Sequence, residues 1–252
     1  MVLPAAAGVT AGIAAWGAVY PASQLFGPVL CHTAQPSTIA LTFDDGPNPA
    51  VTPQLLALLD RYGARATFFL VGRFARQCPE LVREISSRGH TIGNHTETHP
   101  NLTFLSPGRI AEELLRCRDS IAGAADGGAA NPPMWMRPPF GFRGPQLRTA
   151  VRRAGLRGVV TWSFTGYDWK PQPAARLIAR LERVTRGMTA AGGRNAARGG
   201  EIMLLHDGDF RQLGADRRHT LAALEHWLPR WRDAGLRFVS IDQAAGVASV
   251  RG

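Results

Sequence analysis

The residues of this chain best suited to chemistry are Asp44-Asp45, the pair His95 and His99, Arg137, Asp168, and His206-Asp207. His95-Thr96-Glu97-Thr98-His99 spaces two imidazoles so that one helical turn brings them to the same side. Two neutral imidazoles plus one carboxylate form a facial set for Zn²⁺ or a similar divalent ion, with positions left open to water. An H-x-x-x-H pair alone is a weak signal; joined to an aspartate at a strand end it is a stronger one. Glu97 faces elsewhere on such a turn, and the order is not the H-E-x-x-H of metalloproteases, so Glu97 receives no role as a base. Asp44 and Asp45 leave the chain in different directions, so one can bind a metal while the other faces substrate. Asp-Gly-Pro is equally a common turn sequence. His206 ends the apolar run Leu204-Leu205: in isolation it reads as a buried core histidine, and beside a metal as a general acid near neutral pH.

These side chains need elements to carry them. Ser37–Phe43 reads as a buried strand, β-branched and uncharged, stopped by the Asp44–Pro47 loop. Further strands are expected at 66–71, 90–93, 134–136, 158–162, 201–205 and 237–240. Helices are expected at 52–62, 79–88, 110–121, 145–154, 174–184 and 219–233. Strands alternating with helices of this length imply a parallel sheet with helical crossovers, and about seven such units suggest closure into a barrel. Asp44-Asp45, His95 and His99, Arg137, Asp168 and His206 then all follow carboxyl ends of strands, which in a parallel barrel converge on one face. Gly123–Asn131 and Gly187–Gly200 lack periodicity and read as surface loops of low order.

The same residues resemble a known family, the polysaccharide deacetylases of carbohydrate esterase family 4, also called the NodB homology domain. Thr42–Pro47 (T-F-D-D-G-P), His95–His99, Arg137–Gly141 (R-P-P-F-G), Tyr167–Trp169 and Leu204–Asp207 resemble its five motifs, in the same order. The resemblance spans roughly 37–245 and implies a distorted (β/α) barrel. It implies Asp45, His95 and His99 as ligands of one divalent metal, most simply Zn²⁺, with Co²⁺ or Ni²⁺ as substitutes. Asp44 would be the general base, Arg137 its holder through a charge-assisted hydrogen bond, and His206 the general acid. The Phe140 N–H would serve the oxyanion, and Trp169 and Leu204 would line a slot for the acetyl methyl. One departure is Thr165, where the family often carries an acid before the Asp-Trp pair; Asp168 is the candidate to tune His206 in its place. The implied activity is hydrolysis of N-acetyl groups on an N-acetylglucosamine polymer, peptidoglycan-like or chitin-like. An O-acetyl, xylan-type esterase or another linear-amide hydrolase would use the same scaffold, and an inactive envelope glycan-binding protein is the reading from a different class.

Composition bounds the rest. The 252 residues, 45% hydrophobic and 19% charged, suit one large α/β domain. The net charge of +10 is carried by arginine, Lys170 being the single lysine. It fits solvated helix faces or an acidic cell-wall polymer, and no arginine–aromatic clustering resembles a nucleic-acid motif. Cys31, Cys78 and Cys117 form no C-x-x-C pair and are odd in number, which argues against a cysteine metal site. The first charged residue is Asp44, and 3–20 is an apolar run at the lower edge of membrane-spanning length. It reads as an anchor or export signal (residues 1–30) that places the catalytic domain in the cell envelope; a buried first helix is the alternative.

Overall fold

The computed structural model describes residues 12–125, 133–189 and 199–246. The core is the strand β3 (Thr38–Gly46), in which all nine positions are buried. Both of its faces are covered, which is why its sequence runs largely apolar up to Asp44 instead of alternating, and it takes partners on both edges. On one side it pairs in parallel with β4 (Ala66–Leu70), then β5 (Thr91–Asn94), β6 (Trp135–Met136) and β7 (Gly158–Val160). On the other side it pairs with β9 (Gly200–His206), which carries β8 (Phe164–Thr165), both in parallel. β7 runs on into β8 through a short link, in which the Ser163 N–H donates to the Ile202 carbonyl of β9 at 3.1 Å. The sheet is thus nearly closed, the (β/α) barrel expected.

Helices cross over between these strands. α2 (Thr52–Arg61), α4 (Pro79–Ser87), α5 (Pro107–Ala124), α6 (Leu147–Arg153), α7 (Ala174–Thr189) and α8 (Arg218–Asp233) match the expected helices within a few residues. α5 begins earlier than its apolar spacing suggests because Ser106 caps it, accepting from the Arg109 N–H at 3.3 Å, with Pro107 in its first turn. Their apolar faces, with the interior of the sheet, form a core that includes Phe43, Phe68, Leu55, Leu56, Leu59, Met203 and Trp231.

Several elements differ from expectation. α3 (Gly72–Gln77) falls where the sequence predicts no element; six residues give too little period to read. The short α9 (Ile241–Ala244) closes the fold with a capping box between Ser240 and Gln243. β10 (Arg237–Phe238), the strand expected at 237–240, is present but shorter and adds to β3 in parallel. The sheet also reaches ahead of the expected Ser37 boundary, into the stretch assigned to an anchor. There β1 (Val29–Leu30) pairs with β7, and β2 (His32–Thr33) runs antiparallel to β9. Of the two expected loops, residues 126–132 and 190–198 lie outside the described residues; Gly123 and Ala124 belong to α5, and 187–189 to α7.

Of the apolar run 3–20, residues 3–11 lie outside the described residues; 12–19 form α1. Among the described residues no helix is long and apolar enough to cross a membrane.

Candidate active site

Strand register builds the site. In the sheet Asp44 lies beside His206 on one neighbour and Phe69 on the other; Phe69 lies beside Gly93, and Asn94 beside Met136. That level line puts the strand-end residues Asp44-Asp45, His95, Arg137 and His206 around one mouth, a cavity of about 460 Å³. Asp44, Asp45, His95, His99, Phe140, Trp169, Leu204 and His206 line it.

Asp45, His95 and His99 offer ligand atoms that all lie within 4.8 Å of one another. Asp45 Oδ1 stands 3.5 Å from His95 Nε2 and 3.3 Å from His99 Nε2. Asp45 Oδ1 is buried with no hydrogen-bond partner among the described residues, a costly state for a carboxylate oxygen unless a cation or proton meets it. The His95 Nδ1–H donates to the Arg137 carbonyl at 2.8 Å, which turns Nε2 to the cluster. Burial and the nearby His95 push the His99 pKa down to about 3, so its imidazole is neutral. Burial by itself would raise the Asp45 carboxyl. The close approach of His95, with the neighbouring His206 and His99, instead holds it well below the usual carboxylate range. A carboxylate with one oxygen unpaired and two imidazoles fit a divalent cation of the borderline kind.

Two polar pairs flank this cluster. Asp44 Oδ1 accepts from Arg137 Nη1 at 2.8 Å. Arg137 is fully buried, and its other bonds reach Thr42 Oγ1 at 2.7 Å and the Thr161 carbonyl at 2.9 Å. It also lies over the Phe69 ring, 4.3 Å from the centroid. Asp44 Oδ2 is left facing His95 Nε2 at 3.7 Å. On the opposite wall Asp168, wholly buried, accepts the His206 backbone N–H and lies 2.8 Å from His206 Nδ1; Thr220 donates to the same carboxylate. Burial alone would lower the His206 pKa, but the Asp168 charge and hydrogen bond, with help from Asp45 and Asp44, raise it to about 9. The structure therefore brings Asp168 to His206 where Thr165 offers no carboxylate.

The loops that carry these groups are strained. Asp45 (φ 70°), Thr96 (φ 68°), His99 (φ 61°), Phe140 (φ 59°) and Tyr167 (φ 54°) all adopt left-handed backbone without being glycine. Each costs on the order of 1–3 kcal/mol and persists only where its surroundings over-determine it. Thr96 helps to fix one of them: its Oγ1 accepts the His99 N–H at 3.0 Å. Gly208 is required beside Asp45, because a Cβ there would strike the Asp45 carbonyl.

Sequence reasoning missed several contributors. Phe210 stacks on the His99 ring at 4.1 Å and 16°, and meets Phe140 edge-on at 5.3 Å. Phe142, Trp162, Asp209, Arg211 and Arg217 also line the cavity. They stand on irregular segments with no period to reveal them. Glu97 is fully buried behind the histidine turn, bonded by Ser120 at 2.9 Å and paired with Arg76. Asp207 is buried too, and burial raises its carboxyl pKa to about 7. Its sequence neighbour His206 had signalled chemistry for both, but Asp207 takes the Thr52 hydroxyl and is absent from the cavity lining.

Comparison with known proteins shows the family. The sequence profile described as polysaccharide deacetylase matches residues 32–159. A peptidoglycan-N-acetylglucosamine deacetylase of Bacillus cereus is 32% identical over 206 residues, covering 81% of this chain and 86% of its own length. A chitooligosaccharide deacetylase of Azorhizobium caulinodans is 33% identical over 218 residues, covering 84% and 96%. Among solved structures, a peptidoglycan N-acetylglucosamine deacetylase bound to 4-naphthalen-1-yl-N-oxidanyl-benzamide superposes with a TM-score of 0.73 at 27% identity, over 88% of this chain and 94% of that one. With this profile, these relatives and a nearly closed parallel barrel whose strand ends converge on one cavity, the chain belongs to the polysaccharide deacetylase family of hydrolases.

Proposed function

We propose that this protein hydrolyses the N-acetyl groups of an N-acetylglucosamine polymer, peptidoglycan-like or chitin-like, and releases acetate. The observation that carries the reading is the convergence on one cavity of the Asp45–His95–His99 cluster, the Asp44–Arg137 pair and the Asp168–His206 pair. The two relatives act, by their names, on peptidoglycan N-acetylglucosamine and on chitooligosaccharide.

In this mechanism Asp45, His95 and His99 hold one divalent cation, Zn²⁺ in the simplest case or Co²⁺ or Ni²⁺ in its place. Such a cation supplies Lewis acidity, which polarises an acetyl carbonyl and acidifies water. Asp44, oriented by the Arg137 hydrogen bond, takes the proton of the attacking water through its other oxygen. The new C–O bond forms at the carbonyl carbon, and the Phe140 N–H donates to the oxygen that becomes negative, a contact typically worth about 10²–10³ in rate. The C–N bond then breaks as His206, its Nδ1 engaged by Asp168, delivers a proton to the departing amine; general acid catalysis contributes roughly 10²–10⁴. Trp169 and Leu204 form the apolar wall for the acetyl methyl. In this reading the protein works at the cell envelope, with 3–20 as the segment that would associate with the membrane or direct export.

The test is acetate release from N-acetylated and O-acetylated oligosaccharides in parallel, together with metal content. Faster release from the N-acetylated series supports the reading. Preference for O-acetylxylan moves the assignment to an esterase, and metal-free protein that binds glycan without releasing acetate makes it a binding protein.

A further inference from the structure

Arg143 is a charged side chain, 2% exposed, that the mechanism does not use. It follows directly on Phe140, Gly141 and Phe142, which form one wall of the cavity. Its guanidinium is spent on the segment ahead of the barrel: Nη1 donates to the carbonyls of Pro21 at 3.1 Å and Ser23 at 3.4 Å, and Nη2 to those of Gly17 at 3.3 Å and Tyr20. Its own backbone N–H donates to the Ala18 carbonyl at 3.1 Å. Gly17 and Ala18 close α1, so the cation sits at the negative end of that helix and takes up carbonyls the helix leaves unbonded. The first charged residue of the chain is Asp44, so this segment answers the guanidinium with carbonyl dipoles alone.

A second tie runs to the opposite side of the proposed base. The Thr161 hydroxyl donates to the Pro21 carbonyl at 2.8 Å, while the Thr161 carbonyl accepts from Arg137 Nη2 at 2.9 Å. One stretch of chain therefore supports both the loop that presents Phe140 and the arginine that holds Asp44. These bonds are too many and too buried to be an incidental contact of a leader lying on the surface. Removing the segment would strand a buried guanidinium without acceptors, and the 140–142 loop would have to move to let water reach it.

We propose that residues 17–23 are a working part of the active site, with Arg143 as the positioning residue that fastens them to the Phe140–Phe142 wall. Processing of the chain ahead of Gly12 leaves every one of these bonds in place; processing between Ser23 and Val29 removes them and disables the enzyme. The inference rests on the deacetylase reading only for its rate assay.

Arg143→Met, Arg143→Lys and Thr161→Val are made in the full chain. Each is assayed for kcat and KM on whichever acetylated oligosaccharide the wild type cleaves, for metal content, and for amide exchange at 17–23 and 140–142. A wild type that releases no acetate counts against the substrate reading, whereas the exchange data and the variant-to-wild-type ratio bear on this one. Arg143→Met is expected to lower kcat about 10- to 100-fold, the scale of a small misplacement of a reacting group. Metal content should hold, and exchange should quicken in both segments together. Arg143→Lys recovers part of the rate. Should Arg143→Met fail to fold, the near-isosteric Thr161→Val decides, with an expected loss of about threefold or more from the same cause. Faster exchange confined to 17–23, with kcat within about twofold of wild type, would overturn the proposal.

Discussion

Asp44 and Asp45 are neighbours in sequence with different surroundings, and the difference lies in what their oxygens touch. Asp44 has one oxygen bound to Arg137 and the other turned to His95; Asp45 Oδ1 faces the two histidines without a hydrogen-bond partner among the described residues. Asp44→Asn should therefore keep the metal and lose most of kcat, by roughly 10²–10⁴, as removal of a general base does. His95→Ala should lose both, read by metal analysis beside the acetate assay. The Asp168–His206 pair sets a pH dependence. His206 acts as an acid only while protonated, and the folded value of about 9 keeps it so through neutral pH. Asp168→Asn removes the largest raising influence, so the basic limb of kcat must move to lower pH; an unmoved limb would take Asp168 out of the pair. The same shift favours the folded state. His206 binds its proton more tightly folded than unfolded, so this stabilisation is complete below the ordinary histidine value of 6.5 and fades as pH climbs through about 9.

Helices and strands were largely legible because their signals are local. The nine buried positions of β3 and the spaced leucines of α2 are visible as an apolar run and a helical period. The carriers of Phe210, Phe140 and Tyr167 were not, because an irregular segment has no period and a left-handed residue other than glycine leaves no mark in sequence. Asp168 was only a guess until the register of β8 on β9 brought its loop to His206. Gly208 shows how tightly these loops are set. Gly208→Ala should destabilise the fold by about 1–3 kcal/mol, the usual cost of overpacking, because the new methyl meets Asp45 backbone rather than a side chain able to swing away. Thermal unfolding with and without added metal would separate that cost from lost affinity; an unchanged Tm in the metal-free protein would show that the loop can yield.

At the scale of the whole molecule, alternation of strand and helix was enough to foresee a barrel with its chemistry at the carboxyl ends. What could not be foreseen was that 17–33 joins it, through β1, β2 and Arg143, because a short uncharged stretch looks the same whether it leaves the domain or completes it. The net charge of +10 gives the molecule long-range attraction for acidic polymers, so retention on an anionic cell-wall matrix should fall as salt rises past about 0.1 M, where exposed charges are screened beyond about 10 Å. The central claim, that Asp45, His95 and His99 together hold one catalytic cation, is tested most directly by stripping the protein with chelator and titrating Zn²⁺ back while following acetate release. Activity should vanish, return in proportion to added metal and level off at one equivalent per chain, and His95→Ala should show no return. Full activity in the stripped protein, or an equal return in His95→Ala, would contradict it.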